Sequence, residues 1–262
     1  MAESSKEANI ERNMELTASA FIRGLRPRQI QTIGDVMHEY QDGAWTITDI
    51  NRTSLYEPSL RRVCSTLGTP YATKHRAIWL HIKTSTTPDG DAPEFDAHPF
   101  IACTNGTFDV VNSELTDHEP DHYTTRRVST ELVPDAECPE WVDMLRRALQ
   151  SRGRDDESVE QMILFIQEWM GVNLIGKHAK SVRSLRKALL LVGPSNTGKS
   201  TIADVFRELI GSRYVSSPSM SRLGGQFGLE ELLDKQALIS DDGINGYEAG
   251  DPRVLKALVT GE

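Results

Sequence analysis

The chain has 262 residues, with 29 Lys and Arg against 38 Asp and Glu, a formal net charge of −9. That balance argues against a protein that is basic all over and wraps nucleic acid, but it leaves room for a ring or channel whose lining alone is basic. No apolar run approaches the roughly 18 residues of a membrane span, and the N-terminal MAESSKEANIERNME has no apolar signal core. Three distant cysteines, Cys64, Cys103 and Cys138, without a C-x-x-C pair, imply reduced thiols. The expectation is a chain with no membrane partner, working in a cytoplasm.

In chain order, residues 4–23 predict a helix with Ile10, Met14, Ala18 and Phe21 on one face and Leu16 and Ile22 off it. Arg26-Pro27-Arg28 interrupts that helix. A second helical piece is expected around Ile30 to Met37. Asp42-Gly43, set between the β-favouring Tyr40 and Trp45, then signals a hairpin. Residues 56–67 read as a helix with Pro58 in its first turn, and Ser85 to Pro99 as a loop. Trp45 and Trp79 are expected in the core.

Phe100 to Val111 predicts two short strands around Asn105-Gly106, with Asn105 a turn residue and not a ligand. His118-Glu119-Pro120-Asp121-His122 spells H-E-x-x-H, but Pro120 would fall inside the helix that motif requires. These are read as surface histidines. A helix is expected from Pro139-Glu140-Trp141 to Gln150, with Trp141, Met144, Leu145 and Ala148 on one side. Another runs from Glu157 to Met170, with Val159, Met162, Ile163, Ile166 and Trp169 as packing residues and Gly171 as its stop. The basic run Lys177 to Lys187 reads as a solvated linker face. The coarse division is an α+β module over 1–135, a helical layer over 136–176 and a nucleotide-binding domain over 177–262.

That last assignment rests on Lys187 to Gly211, KALLLVGPSNTGKSTIADVFRELIG. The apolar run Ala188 to Val192 predicts a buried strand. A helix with Ile202, Val205, Phe206 and Leu209 on one face follows and stops at Gly211. Between them Gly193-Pro194-Ser195-Asn196-Thr197-Gly198-Lys199-Ser200, continuing into Thr201, matches G-x-x-x-x-G-K-[ST] in full. Glycines let successive N–H groups converge on phosphate oxygens, and the helix start adds partial positive charge. Lys199 can reach the β- and γ-phosphates of ATP, and the Ser200 hydroxyl can ligate Mg²⁺.

About 40 residues on, Leu229 to Lys235 predicts a short helix leading into the strand Gln236 to Ser240, which ends in Asp241-Asp242-Gly243. Paired carboxylates at a strand end suit phosphoryl chemistry: Asp241 is assigned to Mg²⁺ and Asp242 to the attacking water, the two roles being interchangeable.

GPSNTGKS, FGLEELLDKQALISDD and LKALVTGE together resemble the superfamily 3 helicases of phage, plasmid and poxvirus-type primase–helicases. HPFIACTNGTFDVVNSELTDHEPDHYTTRRVSTELVPDAECPEW and QEWMGVNLIG resemble the module that precedes the helicase domain there. The likeness covers roughly residues 35–262. It implies an α/β fold: an AAA+-type P-loop domain preceded by an α+β module with a helical layer. It also implies an ATPase that assembles as a homo-oligomeric ring, commonly a hexamer, and moves on single-stranded DNA with other replication proteins, in the host cytoplasm if phage-encoded. Gly193, Gly198, Lys199 and Ser200 match the first nucleotide motif, Asp241 and Asp242 the acidic one. Lys256 and Gly261-Glu262 resemble the lead into a DNA-contacting hairpin. The sequence ends before the polar sensor residue and the arginine of the pattern, so the expectation is a domain incomplete at its C-terminal side.

Two other readings stay open at this level. One is a hydrolysis-poor short form that binds nucleotide and acts as a partner or decoy of a helicase ring. The other is a small-molecule kinase, although an Arg-rich lid and an acceptor site are not visible. A priming activity has no acidic triad or zinc element behind it.

Overall fold

The computed structural model of the chain describes residues 2–24, 30–34, 36–48, 57–150, 154–176, 187–218, 235–240 and 252–260, with His178, Leu223 and Leu232. It is a mixed α/β protein whose described strands form three small sheets. The chain divides into two compact units, Met1–Phe95 and Asp96–Glu262.

The first unit opens with helix α1, Ala2–Gly24, which buries Ala18 and Phe21 as its spacing predicts, while Leu16 stays half exposed. Strands β1 (Ile30–Ile33), β2 (Val36–Gln41) and β3 (Ala44–Thr48) form an antiparallel meander. The expected helix at Ile30 to Met37 is therefore corrected to two strands. Ile30 and Thr32 are buried and alternate with half-buried neighbours, and Gly34 turns the chain at φ +60°. Burial every second residue is a strand period, and the Thr32 N–H is bonded to the Thr86 carbonyl at 3.0 Å, far along the chain. Gln41 pairs with Ala44 across Asp42-Gly43, at φ +50° and +80°, the double left-handed geometry of a tight hairpin.

Helices α2 (Glu57–Thr66) and α3 (Tyr71–Ser85) complete this unit. Leu60, Cys64, Ile78 and Ile82 pack with Phe21, whose ring meets Trp79 edge-to-face at 6.1 Å. Trp45 and Trp79 are both buried, as expected. His38 lies under Phe95 with ring centroids 4.3 Å apart, and burial pushes its pKa down to about 4 against a backbone hydrogen bond that pulls the other way.

The second unit starts with the meander β4 (Phe100–Cys103), β5 (Gly106–Asp109) and β6 (Glu114–Thr116). Cys103 pairs with Gly106, so the turn is Thr104-Asn105, and Gly106 sits at φ +152° where an added Cβ would lie 2.6 Å from the Thr116 carbonyl. Two helices follow: α4, Pro139–Leu149, and α5, Asp156–Leu174, whose start is capped by the Asp155 carboxylate accepting from the Ser158 N–H at 2.7 Å. Helix α5 buries Val159, Ile163, Ile166 and Met170 along one stripe. It does not stop at Gly171. The stripe continues through Leu174, and the chain turns at Gly176, φ +54°. Helix α6 (Lys199–Ile210), the parallel pair β7 (Val215–Ser216) and β8 (Ala237–Leu238), and helix α7 (Pro252–Thr260) complete the described elements.

Candidate functional site

The strand expected at Ala188 to Val192 is corrected. Burial alternates as a strand would, with Leu189 and Leu191 half-buried, but Leu190 is 62% and Val192 84% exposed. Among the described residues no neighbouring strand pairs with it. A β-prone run without a hydrogen-bonded neighbour is not a strand. Its inner face still joins the core, since Leu191 and Ile239 both pack against the cluster that contains Ile202 and Phe206.

The loop that follows has the geometry its glycines allow. Asn196 and Gly198 take φ +62° and +86°, and Gly198 stands immediately before α6. Among the described residues no side chain caps this helix; its first hydrogen bond runs from Ile202 N–H to the Gly198 carbonyl at 3.0 Å. The amides of Lys199, Ser200 and Thr201 therefore lie ahead of the intrahelical ladder, at the positive end of the helix. Gly198 has a second constraint: an added Cβ would lie 3.0 Å from the Ala148 Cβ and 3.7 Å from the Met144 sulfur, so α4 backs the loop.

Lys199 reaches into its own loop. Its ammonium donates to the Gly193 carbonyl at 2.9 Å, the Pro194 carbonyl at 2.5 Å and Thr197 Oγ1 at 3.4 Å. Thr197 in turn donates to the Pro194 carbonyl at 2.9 Å. These neutral acceptors hold the charge over the loop without neutralising it. Gly193, Pro194, Ser195, Asn196, Ser200 and Thr201 are exposed, while Thr197, Gly198 and Lys199 are half-buried. Main-chain donors, a helix N-terminus and an ammonium group, open to solvent, make an arrangement suited to an anion.

Of the two stretches proposed for phosphoryl chemistry, the structure thus describes the first. Asp241 and Asp242 lie outside the described residues, as do Gly261 and Glu262 and most of Leu229 to Lys235. The strand leading to the acids is present, in parallel register with β7: Val215 pairs with Ala237 and Ser216 with Leu238. Lys256 lies exposed on α7. Val205, expected on the packed face of α6, is 39% exposed, and Ile210 is buried in its place. From the basic run, the Lys187 carbonyl accepts from Trp169 Nε1 at 3.2 Å and His178 Nε2 donates to the Asp96 carbonyl at 2.8 Å; the rest is outside the described residues.

The module before the loop uses its polar groups internally. Asn105 clasps the backbone of Leu132, accepting from its N–H at 2.9 Å and donating to its carbonyl at 3.0 Å. Asp109 accepts from the Val111 and Asn112 N–H groups, the Asn112 amide and His98 Nε2. Burial opposes its charge, but those donors outweigh it and hold the carboxyl well below the usual range. Pro120–His122 is a single 3-10 turn, with His118 bonded to Thr107 Oγ1 at 3.0 Å and His122 tilted against Phe100, ring centroids 4.5 Å apart. Among the described residues no group of three or more His, Cys, Asp or Glu could hold a metal ion.

One set of contacts escaped the sequence. Arg127 meets Tyr214 and Gln236, and Ser129 meets Glu208, across separations of 79 to 109 residues, and no local signal foretells these meetings.

Residues 78–150 match a family model described as D5 N terminal like, a domain found in phage and viral primase–helicase-type proteins. Residues 191–262 match a second model, described as a family of unknown function (DUF5906). No curated protein matches the chain. Among the described residues no helix is long and apolar enough to cross a membrane. The chain thus carries a domain similar to one from phage and viral primase–helicase-type proteins, followed by a stretch that holds the loop.

Proposed function

We propose that this chain binds ATP with Mg²⁺ on Gly193 to Thr201 and works as an ATP-driven DNA helicase of replication, assembled as a homo-oligomeric ring on single-stranded DNA. The observation that carries the reading is the loop itself, with left-handed Gly198 heading α6 and Lys199 held over the turn by neutral acceptors. A polyphosphate offers that ammonium anionic oxygens, each a stronger partner than a carbonyl. The adjoining D5 N terminal like match supports a replication setting.

In this reading the N–H groups of the loop other than Pro194, which has none, and the Lys199 ammonium grip the β- and γ-phosphates. Ser200 and Asp241 would hold Mg²⁺, which would supply charge neutralisation at the phosphates. Asp242 orients the attacking water.

Phosphate release from Mg·ATP, with and without single-stranded DNA, tests the proposal. The expected result is turnover that DNA stimulates and that Lys199→Ala lowers about 100-fold. Turnover indifferent to both the lysine and DNA would refute it.

A further inference from the structure

Residues 126–130 run beside β4 in the manner of an added strand. The Ala102 N–H bonds the Arg126 carbonyl at 2.8 Å, the Val128 N–H bonds the Ala102 carbonyl at 2.9 Å, and the Thr104 N–H bonds the Thr130 carbonyl at 3.0 Å. Strand geometry sends alternate residues to opposite sides. The main-chain groups of 126, 128 and 130 go to β4, so those of 127 and 129 are presented away from it.

Those two residues meet elements that follow the loop. The Ser129 N–H donates to the Leu209 carbonyl at 2.8 Å, and its hydroxyl donates to the Glu208 carbonyl. The last carbonyls of a helix have no partner within it, so Ser129 caps the far end of α6, the helix whose near end is the loop. The Arg127 N–H donates to Gln236 Oε1 at 3.1 Å. Arg127 Nη1 donates to the Tyr214 phenol oxygen at 2.5 Å, with the guanidinium 4.5 Å from the ring centroid. Tyr214 and Gln236 are themselves joined, Gln236 N–H to Tyr214 carbonyl at 2.8 Å, and this bond is the first rung of the β7–β8 pair.

We propose that Arg127 and Ser129 are positioning residues, a clamp from the D5 N terminal like module that fixes how far the phosphate loop stands from the end of β8. The inference rests on the nucleotide-binding reading and deepens it. A pair of two-residue strands is too short to hold its own place, and a fastening at its first rung decides where its far end points. The clamp joins the two stretches that match family models, 78–150 and 191–262. ATP alone is gripped by the loop. The extra affinity that Mg²⁺ confers needs the loop and the end of β8 at the correct separation.

The test is ATP affinity with Mg²⁺ and with EDTA, measured on the full chain for wild type, Arg127→Lys and Tyr214→Phe. Tyr214→Phe removes one oxygen atom and keeps the ring packed. Both variants should keep the EDTA value within about twofold and lose about fivefold of the Mg²⁺-dependent gain. Amide exchange at Gln236 and Ile239 should quicken in both, while Val128 stays protected.

A wild type with the Mg²⁺ gain, and variants that retain it, would overturn the clamp alone. So would equal weakening with and without Mg²⁺, which marks general structural support. A wild type that binds no ATP would overturn the loop reading and the clamp together.

Discussion

The hairpin module and the phosphate loop are both rich in polar residues, and they use them in opposite ways. In the module Asn105 closes on the Leu132 backbone, Asp109 gathers backbone, amide and imidazole donors, and Asp96 accepts from the Thr125 N–H and hydroxyl at 2.6 Å each. In the loop Ser195, Asn196, Ser200 and Thr201 face solvent, and Lys199 rests on neutral oxygens. A polar side chain fastened to its own backbone builds architecture. One presented from a left-handed turn at a helix start is placed for something else.

The comparison can be broken by moving a substitution from one region to the other. Gly198→Ala carries the largest expected effect, because it meets both a positive φ and a 3.0 Å approach to Ala148. It should cost about 2 kcal/mol in urea unfolding and weaken ATP binding at least about tenfold. Wild-type values in both measurements would show that the turn is not under constraint.

Asn105→Ala should lose about 1 kcal/mol, since the Leu132 backbone groups it frees are exposed and recover water. ATP affinity should not change. A loss of nucleotide with intact stability would mean that Asn105 is a ligand group after all.

Acid sharpens the contrast by the smallest margin. The Asp109 carboxyl titrates below its unfolded value near 3.9. In that range the unfolded chain binds more protons, so unfolding free energy rises with pH. The contribution is complete above about pH 5 and is lost as pH falls further. Urea midpoints at about pH 3 and pH 6 should converge in Asp109→Asn relative to wild type. An undiminished difference would place the acid sensitivity elsewhere.

What the residues foretell divides along the same line. Helices α1, α4, α5 and α6 and both hairpins were legible because their signals are local: an apolar stripe, a proline in the first turn, a glycine at positive φ. Ile30 to Met37 was misread because isoleucine and methionine at that spacing fit a helix equally well, and the deciding bond to Thr86 lies 54 positions away. Gly171 looked like a stop, yet Met170 and Leu174 pack on either side of it in the core that continues the helix. The left-handed turn ahead of α6 was legible, because the motif sets a glycine, Gly198, where the backbone takes φ +86°. Its surroundings were not: Met144 and Ala148 behind Gly198, Ser129 at the far end of α6 and Arg127 at the start of β8 are joined by tertiary contacts alone.

On the proposed reading, Gly193 to Thr201 receives a polyphosphate through backbone amides and the Lys199 ammonium. Calorimetric titration of Mg·ATP into wild type and Lys199→Ala tests it most directly. Wild type should bind saturably and the variant should lose about 100-fold or more, with the unfolding midpoint unchanged because, among the described residues, Lys199 bonds to its own loop. Equal affinities in the two proteins, or no binding by wild type, would contradict it.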